Sequence, residues 1–351
     1  MTEGTKTEML PVVPGTTASV AEVTSTVRYV AIVATFAVIS GVIALPSGGY
    51  WLSNFTQAYC FVLALSGCAL LYGQLGLVSL CQWALVGVGA WISLRFYHWA
   101  HPPFVITILV GGVGASAIGM IWGLPALRMR GLYLALVTLM LAGAFQTVIT
   151  VTSFPVGGPG FLGQVGASGN DRVMMARPIY ASSDTAYFLF VAFVTMLAIM
   201  LVEVHRRSKP GRAWALIRKN EQMAMASGVK IVFYKGWAFA LSGFLAGVAG
   251  ALLAGLFGQL DAGNFSPTDS IVVFIGTLLG GVDVWLGAYL GGLLTRFIPA
   301  LLIDFNVNAY VGLIFFGAAL MLALRDPVGI GGLLTAVAER LYAKFMARRT
   351  S

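Results

Sequence analysis

Residues able to do chemistry are concentrated in one interval of this 351-residue chain. Arg206 to Lys235 carries eight Lys/Arg against a single acid, Glu221, with long apolar runs on both sides. Such a segment breaks no bonds; its chemistry is recognition of a surface. At three- and four-residue steps, one face of a helix over Arg212–Ala226 gathers Trp214, Ile217, Arg218, Glu221 and Met225. A helix lying in a membrane surface separates apolar from charged side chains. This face mixes them, which predicts docking into a protein groove, with Lys219 and Gln222 on the far side. A basic loop that only sets topology is the alternative. Pro210 and Gly211 open the predicted helix and Gly228 ends it.

The remaining candidates are polar groups inside apolar runs. Gln82, Gln146 and Gln259 need a partner or water there, because an unpaired amide in hydrocarbon is costly. They read either as bonds between helices or as the lining of a solute path, and Gln74, Gln82, Gln146 and Thr277 are the residues placed near such a path. Arg296 is the one ionised residue well inside a run. It reads either as a side chain reaching back to the interface or as a functional charge. Gly280 and Gly281, followed by Asp283, form a helix break. The pairs Gly119/Gly123, Gly243/Gly247 and Gly287/Gly291 read as close helix contacts. Enzyme patterns are missing: His98, His101 and His205 form no H-E-x-x-H, and there is no phosphate-binding Gly-x4-Gly-Lys-Ser/Thr loop.

These residues must be positioned by membrane helices. The chain is 58% hydrophobic and 10% charged, against about 25% charged in soluble domains. Ten apolar runs mark the spans, at about 20 residues per crossing: 29–45, 55–72, 78–94, 104–124, 132–151, 185–202, 236–260, 270–279, 284–303 and 309–324. The eighth is short, so it and the ninth are either two full spans or a partly re-entrant pair. The expected fold is therefore an all-α, polytopic transmembrane bundle of about ten spans. Seventeen of the 21 Lys/Arg then fall on one side, which places both termini in the cytosol. That distribution also reads the net charge of +8 as insertion bias and lipid contact rather than nucleic-acid binding. Residues 1–27 read as a disordered cytosolic tail, 28–325 as the transmembrane domain with 205–235 as its cytosolic segment, and 326–351 as an interfacial tail. Cys60, Cys68 and Cys81 have neither disulfide nor metal spacing and read as small core residues.

Several short motifs recur in a fixed order: Gly73-Gln74-Leu75-Gly76, Gly87-Val88-Gly89-Ala90-Trp91, Gly123-Leu124-Pro125-Ala126-Leu127-Arg128-Met129-Arg130-Gly131, Gly211-Arg212-Ala213, Asn220-Glu221, Gly228-Val229, Trp285-Leu286-Gly287 and Arg325-Asp326-Pro327-Val328-Gly329. In this order, across Gly67 to Gly332, the chain resembles the permease subunits of the branched-chain amino acid ABC importer family, the LivM-like half more than the LivH-like half. The resemblance implies the ABC importer permease fold in a bacterial inner membrane, and a chain that is not itself an enzyme and carries no cofactor. It implies two ATPase subunits that hold ATP and Mg, an external solute-binding protein, and a second permease that is a LivH-like paralogue or a second copy. Glu221 and Gly228 occupy the positions of the family's E-A-A…G coupling loop. The ATPase-coupling set is thus Arg212, Trp214, Ile217, Arg218, Glu221 and Gly228. The solutes of the family are amino acids, urea, amides or aromatic acids. The fifth run departs from the pattern, with Leu132, Gly143 and Gln146 where members often carry an acid, a Glu and an Arg, so a zwitterionic amino acid loses two expected partners. Trp83 replaces a usually small residue. A stand-alone channel or secondary carrier is the alternative, and an intramembrane enzyme is the third class, with no nucleophile–base or metal set to support it.

Overall fold

A computed structural model of the chain describes residues 16–44, 48–129, 131–151, 174–258, 260–282, 285–305, 321 and 329–332. The regular structure in these residues is helical. The chain order is α1 (Thr16–Ala44), α2 (Gly49–Leu75), α3 (Gln82–Ala100), α4 (Phe104–Trp122), α5 (Leu132–Val151), α6 (Asp184–Arg207), α7 (Lys209–Lys219), α8 (Glu221–Ala226), α9 (Ile231–Phe257), α10 (Pro267–Gly280) and α11 (Trp285–Asp304). Short 3-10 turns stand at Leu124–Leu127, Ile179–Ala181 and Ala262–Phe265.

Six helices among the described residues are long and apolar enough to cross a membrane: α2, α4, α5, α6, α9 and α11 over 285–302. The apolar part of α1 and the whole of α10 are shorter. The tenth expected run, the external loop and the C-terminal tail lie largely outside the described residues. α1 starts at Thr16, inside the stretch expected as a tail, because no Gly or Pro interrupts residues 16 to 40.

α2 and α9 are the central pair, each buried over 89% of its most apolar stretch; α3, α4, α6, α10 and α11 pack on one or both of them, and α5 packs outside against α3 and α10. Small residues permit this closeness. A Cβ on Gly243 would stand 2.6 Å from the Ala115 carbonyl, and one on Gly247 2.5 Å from that of Gly111, so α9 lies backbone to backbone on α4. Gly280, Gly287 and Gly291 serve α10 against α11 in the same way. Without a hydrophobic drive between helices in lipid, such dispersion contacts supply much of the association. Buried hydroxyls add specific bonds, as where Tyr59 links Ser40 of α1 (2.9 Å) to Tyr289 of α11 (2.7 Å).

Two helices begin near the middle of the bundle rather than at its ends. α2 closes on Gly76 (φ 69), and residues 76–81 run non-helically before α3 starts at Gln82. Gln82 meets Ser242, close to the midpoint of α9. α3 therefore starts four residues later than the apolar run suggests. The freed backbone is served by α5, whose Thr138 hydroxyl accepts from the Leu80 amide at 2.8 Å. Likewise α10 begins at Pro267 beside Trp83, directly after the 3-10 turn at Ala262–Phe265. Non-helical backbone at membrane depth persists only where protein encloses it or where it lines a cavity.

Candidate functional site

The basic segment folds as two helices, α7 and α8. Asn220 breaks them with an extended backbone (φ −161, ψ 119) and caps α8, its side-chain oxygen accepting from the Gln222 and Met223 amides at 2.8 and 3.3 Å. The single helix expected over Arg212–Ala226 is corrected accordingly, since an asparagine with a cap to make favours a break. Gly228 ends α8 at φ +77, a conformation that costs glycine little.

Orientation is the larger correction. Trp214 is fully buried, its indole N–H donating to the Tyr234 carbonyl at 2.8 Å, and Ile217 is 4% exposed. Both pack into a small core with Leu70, Leu71, Leu75 and Phe239. Glu221 meets the Lys235 ammonium at 2.9 Å, and Lys235, 1% exposed, also donates to the Ala126 carbonyl at 2.9 Å. The guanidinium of Arg218 donates to the Gly73 carbonyl at the end of α2. Gly73 itself lies so close to the Val282 carbonyl that a Cβ would stand 2.5 Å from it. Of the face expected to meet a partner, Trp214, Ile217 and Glu221 thus turn to the bundle, while Arg218 and Met225 stay exposed. Arg212, Arg218, Lys219, Gln222, Met223 and Met225 are among the exposed residues, with both methionines more than half exposed.

A cavity of about 500 Å³ lies at the other half of the bundle, where the starts of α3 and α10 converge. Phe257, at the end of α9, and the exposed Asp261 and Asn264 stand around it, and Trp83, Phe61 and Phe265 line it with aromatic surface. Trp83 is 5% exposed and fixed from three sides. Its backbone amide donates to Ser270 Oγ (3.2 Å), its indole donates to the Asn264 carbonyl (2.8 Å), and its ring lies 4.3 Å from that of Phe61. Two ionisable groups reach the wall from α10 and α11, Asp269 and Arg296. The Arg296 guanidinium donates to Gln57 Oε1 at 2.5 Å and stacks 4.8 Å over the Phe61 ring, while its buried Nε has no acceptor among the described residues. Arg296 therefore reaches into the bundle toward α2 instead of extending along α11 to the interface.

The residues placed near a path are spread along the molecule. Gln74 lines a second opening of about 470 Å³ with Gly73, Ala215, Arg218 and Lys219, at the basic end. Gln82 is 1% exposed and clasped to α9, its amide donating to the Ser242 carbonyl at 3.1 Å and accepting from Ser242 Oγ at 2.9 Å. Thr277 is fully buried and donates to the Val273 carbonyl at 2.8 Å. Gln146 is half-buried on α5. α10 ends at Gly280, and Gly281 follows with φ 103. Gln259 and Asp283 lie outside the described residues. Sequence reasoning missed Lys235, Asp269 and Asn264. Of these only Asp269 had a readable signal, the Ser266-Pro267 helix start just before it.

The described residues contain no cluster suited to a metal ion. No solved structure matches the chain. Among curated proteins, it is 25% identical over 292 residues to the high-affinity branched-chain amino acid transport system permease protein LivM of Escherichia coli (strain K12), covering 78% of this chain and 68% of that one. It is 23% identical over 295 residues to the corresponding LivH of the same organism, covering 79% and 92%. The family described as branched-chain amino acid transport system, permease component, matches residues 50–324. A polytopic helical bundle with multi-pass location in the bacterial inner membrane, no ATPase motif of its own and a transport role follow, and the chain belongs to this branched-chain amino acid permease family.

Proposed function

We propose that this chain is the permease subunit of an ATP-driven importer, with α7 and α8 in the cytosol and the Trp83 cavity opening to the outside. The permease body is placed at residues 28–325. A second permease, of LivH type or another copy, two ATPases holding ATP and Mg, and an external binding protein complete the assembly. The solute belongs to the amino acid, urea, amide or aromatic acid group.

One observation carries this reading: the two openings are joined by a single continuous stretch of chain. Gly73 and Gln74 line the basic mouth, residues 76–81 climb without helix, and Trp83 floors the cavity. Arg218 holds the Gly73 carbonyl, so a shift of α7 acts directly on the base of that stretch. A solute passes from the cavity past Trp83 to Gln74, with Gln146 on the neighbouring α5. Gln82 instead clasps α3 to α9 through Ser242, and the Thr277 hydroxyl is bonded back within α10. A stand-alone carrier would gain nothing from a basic segment docked in this manner.

Purification from the host in mild detergent, followed by reconstitution, tests the reading. Co-purified ATPase subunits and uptake that stops without ATP are expected. A chain isolated alone that still transports would overturn it.

A further inference from the structure

The cavity holds charges that the family resemblance leads one to expect in the fifth run. The fifth run lacks the acid and base expected of it, yet α10 and α11 bring Asp269 and Arg296 to one wall. A guanidinium half-buried at membrane depth is costly, and such groups line functional cavities by default. Arg296 is only partly satisfied by the protein. One arm donates to the neutral amide oxygen of Gln57, the plane stacks on Phe61, and the buried Nε has no acceptor among the described residues. Asp269 stands on the same wall without forming one of the close ion pairs seen at Glu203 and Glu221. Arginine presents planar, paired donors that match a carboxylate. The aromatic surface of Phe61 and Trp83 beside it suits an apolar body.

We propose that Arg296 binds the carboxylate of the transported solute in this cavity, so that the solute is a small organic molecule carrying a carboxylate rather than urea or a neutral amide. Gln57 and Phe61 orient the guanidinium, and Asp269 keeps the local field balanced so that the anion is released when the cavity closes. This rests on the reading of the cavity as the outer part of the path.

The test uses the complete transporter in spheroplasts and needs no known solute. Asn264, exposed at the cavity, is changed to Cys, the three native cysteines being buried. Its labelling rates by an anionic and a cationic methanethiosulfonate are compared with Arg296 intact and with Arg296→Gln. The anionic-to-cationic ratio should fall by about tenfold or more, because one positive charge on the cavity wall attracts the anionic reagent and repels the cationic one, so its effect enters the ratio twice. In parallel, leucine and benzoate should be taken up or compete in a manner lost in Arg296→Gln and partly kept in Arg296→Lys. Urea and acetamide should be indifferent to both variants. An unchanged labelling ratio, or urea uptake that is independent of Arg296 with no carboxylate recognised, would overturn the carboxylate site and leave the path standing. Failure of both reagents to reach Asn264→Cys in a transporter that still imports would instead overturn the path, and the proposal with it.

Discussion

Replacing Glu221 by Gln tests how the basic segment is held. Lys235 is 1% exposed and Glu221 17%, so the pair is largely desolvated. Removing one partner of a buried pair typically costs about 3–5 kcal/mol, because the other charge stays buried alone. Here the Ala126 carbonyl still accepts from Lys235 and Glu221 retains some solvent, which places the cost at the low end, ~3 kcal/mol. α8 has six residues and is otherwise anchored by the buried Ala224, so the loss should appear as local opening rather than global unfolding. At 1.4 kcal/mol per tenfold, exchange of the α8 amides should speed up about 100-fold, read by hydrogen–deuterium exchange of peptides over 221–229. Changing Glu221 and Lys235 together to leucine should recover most of the protection, since apolar replacement of a buried pair is often neutral. Exchange in Glu221→Gln equal to wild type would refute the reasoning and show that the segment is held by α7 alone.

Other outcomes follow from the same geometry. Trp83→Ala removes the indole bond to Asn264 and the stacking on Phe61, and should give ATP-independent leak of small solutes in proteoliposome efflux. Gln82→Leu breaks the clasp to Ser242 and should lower detergent thermal stability by about 1–2 kcal/mol with uptake per folded molecule unchanged; the opposite pattern would put Gln82 on the path. Met223→Ala with Met225→Ala should weaken ATPase co-purification, because a few exposed anchors carry most of an interface, at about 2 kcal/mol or more each. Arg218→Ala should leave ATP hydrolysis running while uptake falls, since it frees the Gly73 carbonyl from α7.

Much of the bundle is legible in the sequence because helices in lipid must be long, apolar and internally bonded. Thus 104–124 became α4 and 132–151 became α5 almost residue for residue. The start of α3 was not legible. Leu77, Val78, Leu80 and Cys81 are apolar in any conformation, and only Thr138 on α5 and Ser270 on α10 show why they leave the helix. The basic segment shows the same limit on a smaller scale. The spacing of Trp214, Ile217 and Glu221 correctly gathered one face, yet nothing local says whether a face looks toward a partner or toward Phe239 and Lys235 of the same chain. Arg296 stood out by its charge, but its meaning depends on Gln57, 239 residues away in sequence.

The most direct test is a photo-crosslinker at Met223 in living cells. Met223 lies on the exposed face of α8 at the basic end, and Trp99 is a matched exposed control near the far end of α3. Crosslinking from Met223 to an ATPase subunit, identified by mass spectrometry and absent from Trp99, is the predicted result. No ATPase adduct at Met223, or equal yields from both positions, would contradict the account.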